Sequence, residues 1–196
     1  TNTVVSFRDE SSTAAAERNF VATMRSFEVN KSYYNPEITY RPWVKADGSS
    51  FPPAPPAAAP HHPIRNVGTR NLTVDNSQSA TWVTCTVGAS GSSSCSTSSQ
   101  TRTFFPAVYF QYNGGNRFAR ASYTKVEIRP TTTSYSGGGR TNRTDCTGGV
   151  CTYAQEIQNF ANWYTYYRSR MLASQGGIGR AFVSQSERMR VGFGSL

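Results

Sequence analysis

The stretch EIQNFANWYTYYRSRMLASQGGIGRAF, Glu156 to Phe182, decides the fold that this sequence predicts. An apolar stripe runs through it at intervals of 3, 4, 3 and 4 residues, formed by Ile157, Phe160, Tyr164, Tyr167 and Met171. This spacing places the stripe on one face of an α-helix, and we expect that face to point into the core. The large side chains beside the stripe stay available for recognition: Trp163, Tyr166, Arg168 and Arg170.

The flanks of this stretch set the limits of the helix. Thr152 followed by Gln155 fits a capping box, which predicts that the helix begins there. Gly176, Gly177 and Gly179 either end the helix or permit close packing, and the apolar residues that follow indicate that it resumes. The end of the chain, RMRVGFGSL (188–196), alternates as a strand does, and Met189, Val191 and Phe193 share one side. An amphipathic helix joined by a short connection to such a strand is what a parallel α/β layer needs.

The other predicted elements are shorter. Residues 11–28 predict a packing helix, 80–87 a strand, and 103–128 a β-hairpin around the turn NGGN (113–116). Residues 51–63, FPPAPPAAAPHHP, hold most of the prolines and predict an extended connector over the surface. The fold class is therefore mixed α/β, with a long amphipathic helix, a β-hairpin and a large loop-rich insertion.

The net charge of +9 is unevenly distributed, since residues 101–196 hold 12 Lys and Arg against 4 Asp and Glu. A basic half of this kind attracts DNA, anionic lipid or acidic polysaccharide, or it only keeps the surface soluble. No nucleic-acid-binding motif occurs, and no run of five basic residues. No apolar run approaches the about 20 residues of a membrane span.

The four cysteines form two close pairs, Cys85 with Cys95 and Cys146 with Cys151, each flanking a short polar loop. Neither pair has CxxC spacing and the two histidines are adjacent, so we expect no zinc site. Two local disulfides in an oxidising compartment fit this pattern better. Free thiols and the other pairings of four cysteines are the alternatives.

The residues that catalysis requires are not assembled in any recognisable motif. GxSxG, HExxH, the Walker loop and GxGxxG are absent from the sequence, and the acidic residues are scattered. His61 and His62 lie in the Pro-rich connector, where we expect solvated side chains. We therefore expect no enzymatic activity and no cofactor.

Two blocks of the chain resemble the N-terminal part of the type IV pilus tip-associated adhesins, the PilC/PilY family. The first, SYYNPEITYRPWVKADG (32–48), is similar to the family's YYNP..TY.PW segment. The second comprises RTDC (143–146), CTYAQEIQNFANWYTYYRSRML (151–172), GIGRAF (177–182) and RVGFGSL (190–196). The two blocks occur in the family's order and cover roughly a third of the chain.

The resemblance implies a partial von Willebrand factor A-like layer, in which 153–184 is the first helix and 189–195 the second strand. It divides the chain into an N-terminal helix with the YYNP segment (1–48), an insertion with the hairpin (49–142), and the helix and strand (143–196). The D-x-S-x-S metal motif of that fold is expected before the YYNP segment and is not there. DNSQS (75–79) fits the pattern but lies in the insertion, so we predict no metal site.

The resemblance further implies a non-enzymatic adhesin and pilus biogenesis factor, exported through the periplasm to the pilus tip or the outer cell surface. Its partners would be minor pilins or other pilus components, and a host or abiotic surface such as one that carries acidic glycan. Two other classes stay open from the residues: a self-assembling extracellular fibre subunit, and a basic DNA-binding module.

Exposed Tyr, Trp and Arg side chains supply contact area, hydrogen bonds and charge to such an interface. We expect the hairpin and the off-stripe face of the helix to provide them, with edge-strand protection by Lys and Arg as the alternative for the hairpin. The predicted binding residues are Tyr109, Tyr112, Arg117, Arg120, Tyr123, Lys125, Trp163, Arg168 and Arg170.

Overall fold

The computed structural model describes residues 15–87, 93–183 and 185. In chain order the helices and strands are α1 (Ala15–Met24), β1 (Ala59–Pro60), β2 (Thr69–Arg70), β3 (Asn76–Val87), β4 (Ser93–Phe104), β5 (Val108–Tyr112), β6 (Tyr123–Glu127), β7 (Ser134–Ser136), β8 (Val150–Thr152), α2 (Tyr153–Tyr166) and α3 (Arg170–Val183). The predicted mixed α/β class is confirmed. None of the helices in these residues combines the length and the apolar character that a membrane span requires.

The strands form four two-stranded sheets, and every pair within the described residues is antiparallel: β1 with β2, β3 with β4, β5 with β6, and β7 with β8. The predicted strand over 189–195 lies outside the described residues. The parallel layer and the von Willebrand factor A-like arrangement that depend on it therefore stay predictions.

The capping box predicted at the start of α2 is confirmed. Thr152 Oγ1 accepts a hydrogen bond from the Gln155 backbone N–H at 3.3 Å, and Gln155 Oε1 accepts one from the Thr152 N–H at 2.8 Å. Each residue satisfies a backbone group that would otherwise lack a partner at the helix end.

The prediction of one helix over 153–184 is wrong, because the chain leaves helical geometry after Tyr166. Tyr167 has φ −137° and ψ −6°. Ser169 Oγ then accepts a hydrogen bond from the Leu172 N–H at 3.2 Å, which caps the start of α3. Sequence periodicity continues across this break, so it does not reveal the second cap.

The break changes which side chains are buried. Ile157 and Phe160 are buried as predicted, but Met171 is 71% exposed, and Tyr164 and Tyr167 are half-buried. Tyr164 and Tyr167 still pack against the core, so the predicted stripe is wrong only at Met171. The fully buried part of the apolar face of α2 continues through Trp163 and Tyr166.

Helix α2 packs against the irregular segment 33–60 rather than against a wide sheet. Asn159 accepts a hydrogen bond from the Tyr40 N–H at 2.7 Å and donates to the Ile38 carbonyl at 2.9 Å. Asn162 donates to the Tyr40 carbonyl at 2.9 Å and accepts from the Ala54 N–H at 3.0 Å. Two amide side chains thus satisfy the backbone that a sheet partner would otherwise bond.

The prediction that the Pro-rich segment 51–63 is an extended connector over the surface is wrong. It contains a short 3₁₀ turn at Pro56–Ala58 and the strand β1. Ala54 and Ala59 are buried in the core. His61 is not simply solvated either, because its Nδ1 lies 2.7 Å from the Tyr164 hydroxyl.

One hydrophobic core contains residues from all three predicted segments. Val21, Tyr34 and Trp43 come from the first, Leu72, Phe105 and Phe110 from the second, and Ile157, Phe160 and Leu172 from the third. The predicted boundaries at 48/49 and 142/143 stay a prediction.

The helix predicted over 11–28 ends at Met24. Among its apolar residues Val21 is buried, while Phe20 is exposed.

Candidate binding surface

The β5–β6 hairpin carries most of the predicted binding residues, and its register determines where they point. Tyr112 lies opposite Tyr123, and Phe110 lies opposite Lys125. Since side chains alternate along a strand, Tyr109 lies on the other face. There its ring is 5.3 Å from that of Tyr34, and it is 1% exposed. Tyr109 is a core residue, so its assignment to the binding surface is corrected.

Tyr112 and Tyr123 support the loop that joins the two strands. This loop comprises residues 113–122 and is called the 113–122 loop. Their rings lie 5.5 Å apart. The Tyr112 hydroxyl donates to the Gly115 carbonyl at 2.6 Å, and the Tyr123 hydroxyl donates to the Arg117 carbonyl. Tyr123 is buried and Tyr112 half-buried, so both hold the loop instead of offering their rings to a partner.

Further hydrogen bonds restrain the 113–122 loop along its length. The Asn113 N–H donates to the Ser122 carbonyl at 2.9 Å, and the Ala119 N–H donates to the Asn116 carbonyl at 3.0 Å. The Arg120 N–H donates at 2.9 Å to Asn19 Oδ1 of α1, which fixes the loop to the rest of the domain. A loop restrained at both ends and in the middle loses little entropy when it binds a partner.

This restrained loop presents one aromatic side chain to solvent. Phe118 is 69% exposed, whereas the next most exposed phenylalanines of the described residues, Phe20 and Phe182, are 37% exposed. Its backbone N–H donates to Asn116 Oδ1 at 2.9 Å. Our sequence analysis missed Phe118, although a single aromatic beside arginine in a Gly- and Asn-rich turn is the signal that would have indicated it.

The basic residues of the hairpin have different surroundings. Arg117 is exposed and forms an ion pair with Glu28 at 3.0 Å. Arg120 is less exposed, lies 4.9 Å from the centroid of the Phe110 ring and donates to the Tyr123 carbonyl at 2.6 Å. Lys125 pairs with Glu127 at 2.8 Å. Arg117 is thus the exposed basic residue next to Phe118, while Arg120 lies against Phe110 and Lys125 lies further along the sheet.

The predicted binding residues of the helix do not form one surface. Trp163 is buried and donates through Nε1 to the Ser32 carbonyl at 3.3 Å, and Tyr166 is buried as well, so both belong to the core. Arg168 covers the Tyr164 ring at 4.4 Å and donates to the His61 carbonyl at 2.7 Å. Arg170 is exposed at the start of α3.

Beneath the hairpin lies a buried ion network that joins both blocks of the family resemblance. Arg140 contacts Glu156 Oε1 at 2.8 Å, and Arg143 contacts Glu156 Oε2 at 2.5 Å; these three side chains are at most 1% exposed. The Tyr34 hydroxyl donates to Glu156 Oε1 at 3.1 Å. Arg140 also donates to the Tyr109 hydroxyl, which links the network to the hairpin.

Burial and charge act against each other in this network. Burial disfavours the charged guanidinium of Arg140, but the hydrogen bonds that it donates to Glu156 outweigh this effect and hold its pKa above the ordinary value. Burial is the main cause that raises the pKa of Tyr34, so this phenol stays a neutral donor. The network therefore links the YYNP segment, the hairpin and α2 through buried polar and charged groups.

The cysteine pairing follows the prediction. Cys146 and Cys151 form a disulfide with Cα atoms 4.8 Å apart, which confirms that pair. Cys95 is disulfide-bonded as well, and the β3–β4 register places Cys85 directly opposite it. The disulfide between Cys146 and Cys151 closes the loop that follows Arg143, next to the buried network.

The D-x-S-x-S pattern at 75–79 uses its polar groups in protein contacts. Asp75 accepts a hydrogen bond from Arg129 at 2.9 Å. The Ser77 hydroxyl lies 3.0 Å from that of Thr103, and the Ser79 hydroxyl lies 2.7 Å from that of Thr101, across the β3–β4 pair. These side chains join two strands instead of converging on one point.

A cavity of about 240 Å³ lies between α1, the base of the β3–β4 pair and the outer face of the β5–β6 hairpin. Its polar groups already contact one another. Arg129 lies 4.0 Å from the Phe105 ring centroid and pairs with Asp75 at 2.9 Å, and Lys125 pairs with Glu127 at 2.8 Å. A ligand would have to displace these contacts, so the 113–122 loop is the stronger candidate site.

Two curated relatives are similar to part of this chain. The Type IV pilus biogenesis factor PilY1 of Pseudomonas aeruginosa strain PAK is 37% identical over 89 residues, which cover 44% of this chain and 6% of the relative. The factor of the same name from strain PAO1 is 41% identical over 59 residues, which cover 29% of this chain and 5% of the relative. No family model matches the chain, and no solved structure matches it. Although the chain spans only a small fraction of these relatives, the matches support a relationship with the PilY family and with type IV pilus biogenesis.

Proposed function

We propose that this chain is a non-enzymatic module of a type IV pilus biogenesis factor, which lies at the pilus or the outer cell surface and attaches cells to surfaces. The similarity to the two PilY1 proteins supports the pilus role. The observation that carries the binding role is the 113–122 loop, which is held by hydrogen bonds at both ends and presents the exposed Phe118 next to the exposed Arg117. The relation to a von Willebrand factor A-like region forms part of the same proposal.

Deleting 49–142 would not test this proposal, because Ala54, Leu72 and Phe110 of that range belong to the core. A sharper change removes only the 113–122 loop. Tyr112 and Tyr123 are cross-strand partners, so a two-residue Asn-Gly turn can close the shortened hairpin in register.

This change is made in the full-length protein, in the bacterium that carries it. We expect cells with the shortened hairpin to assemble surface pili and to lose attachment to glass and to host cells. Normal attachment by piliated mutant cells would refute the attachment role. Loss of the pili themselves would show that the loop serves assembly and not attachment.

A second candidate, self-association, is favoured by the β3–β4 pair. The two strands pair over 12 residues, and within the described residues neither pairs with another strand. They contain no proline, and Arg102 is their only charged residue, although natural edge strands usually carry such protection. A mass that rises with protein concentration in sedimentation would support this candidate, and a constant monomer mass would exclude it.

The DNA-binding alternative stays a prediction from charge alone. Its signature would be an affinity for duplex DNA that falls steeply with rising salt, because bound phosphates release counterions. No DNA binding at low salt would exclude it.

A further inference from the structure

We propose that Phe118 is the anchor of a protein–protein contact, and that it inserts into an apolar pocket with an acidic rim on a subunit of the type IV pilus fibre. This inference rests on the proposed function and names the partner of the same loop: the loop fixes the protein on the pilus fibre, and cells whose pili lack the protein lose attachment. It has three steps, which concern exposure, rigidity and charge.

The exposure of Phe118 is unusual for its type. A phenylalanine side chain that moves from water into an apolar pocket is stabilised, because its apolar surface is removed from water. At 69% exposure most of that stabilisation is still available to a partner. Ile64 is equally exposed at 69%, but its side chain is smaller and not aromatic, so it provides a matched comparison within the same protein.

The rigidity of the 113–122 loop distinguishes Phe118 from a mobile surface residue. Backbone and side-chain hydrogen bonds from Asn113, Asn116 and Tyr112 restrain the loop, and Asn19 holds it to α1. The position of Phe118 is therefore set before a partner arrives. Preorganisation of this kind is how large, rigid aromatic side chains contribute most of the energy of an interface.

The charges beside Phe118 define the partner. Arg117 precedes it in the chain and its side chain is 61% exposed, so its ion pair with Glu28 contributes little and can exchange for another carboxylate. A basic residue beside an apolar anchor fits a carboxylate at the edge of an apolar pocket. A protein surface supplies both features, whereas a nucleic acid or a simple polysaccharide lacks the apolar pocket.

The test measures binding of the full-length protein to type IV pilus fibres, sheared from a strain that lacks this protein and immobilised for surface plasmon resonance. The variants are Phe118→Ala and the matched control Ile64→Ala. We expect the Phe118→Ala variant to lose at least tenfold in affinity and the Ile64→Ala variant to bind as the wild type does. Thermal unfolding of both variants checks that the exposed substitutions leave the fold intact.

The outcomes separate this inference from the proposed function. Wild-type binding that Phe118→Ala leaves unchanged overturns the anchor role and leaves the pilus association standing. No binding of the wild type to fibres overturns both. A benzophenone amino acid at position 118 decides between partners: a cross-link to a pilus subunit supports the inference, and a cross-link only to the same chain overturns it.

Discussion

At the scale of single residues, Glu156 has the most demanding position in the molecule. Its carboxylate is fully buried and contacts Arg140, Arg143 and Tyr34, which come from two distant parts of the chain. A buried ion pair contributes little net energy once desolvation is counted, but removal of one partner leaves the other charges buried without compensation.

We therefore expect the Glu156→Ala variant to lose about 3–5 kcal/mol of unfolding free energy, because Arg140 remains buried without a carboxylate and Arg143 keeps only Asp145. Urea denaturation followed by tryptophan fluorescence measures this loss. Exposed Glu37 provides the control, and Glu37→Ala should change the stability by less than about 0.5 kcal/mol. Equal effects of the two variants would show that the network has no structural role.

At the scale of elements, side chains form hydrogen bonds with backbone groups that regular secondary structure would satisfy elsewhere. His62 is an example in the loop that joins β1 to β2. Its Nδ1 accepts hydrogen bonds from the Ile64 and Arg65 N–H groups, both at 3.1 Å. Protonation of Nδ1 would remove this acceptor. Burial, Arg65 and Arg168 all lower the pKa of His62 below its ordinary value of 6.5.

Because the pKa of folded His62 is lowered, the contribution of these bonds is complete above pH 6.5 and is lost as the pH falls through the folded pKa. Amide hydrogen exchange at Ile64 and Arg65, corrected for the intrinsic rate, should show protection that decreases over this range. A His62→Asn variant keeps an acceptor that does not titrate, and its protection should not change with pH. The same acid loss in that variant would assign the effect to another group.

Helix α2 provides a second example, since Asn162 bonds the backbone at Tyr40 and Ala54. Asn162→Ala leaves the buried N–H of Ala54 without this partner, and we expect a loss of about 1–3 kcal/mol of unfolding free energy. The exposed Gln175 of α3 is the matched position, and Gln175→Ala should have almost no effect. Chemical denaturation of both variants measures the difference, and an unaffected Asn162→Ala would contradict the role of the amide.

At the scale of the whole molecule, two covalent links complement a core that gathers residues from distant parts of the chain. The disulfide between Cys146 and Cys151 closes a short loop between the buried Arg143 and the start of α2. A link of this length restricts the unfolded chain only modestly.

We expect the double variant Cys146→Ser, Cys151→Ser to lose about 2 kcal/mol of unfolding free energy and to remain folded. Mass spectrometry of the wild type after alkylation without reductant should find no labelled thiol. Four labelled thiols would refute both disulfides and the exported location with them.

The sequence predicted local elements well and tertiary contacts poorly. The capping box at Thr152, the pairing of β5 with β6 and the Cys146–Cys151 pair depend on nearby residues, so short patterns indicate them. The predicted turn NGGN was too short, because residues 117–122 continue the loop instead of starting a strand. The stripe was wrong at Met171, which lies in the new helix that Ser169 starts, and no periodic pattern marks that break. Tyr109 and Trp163 were assigned to the surface because composition alone does not tell a binding aromatic from a core aromatic. A single aromatic beside arginine in a Gly- and Asn-rich turn indicates Phe118, but its exposure required the loop geometry to be known.

The amide contacts of α2 also have a consequence for how this protein can diverge among species. Asn159 and Asn162 form hydrogen bonds with backbone carbonyl and N–H groups of the segment that follows Tyr34. Every amino acid except proline has both of these backbone groups. The side chain at an exposed position such as Ile38 can therefore be substituted without loss of these backbone hydrogen bonds. The two asparagines cannot, so orthologues should keep them while the exposed side chain at position 38 varies.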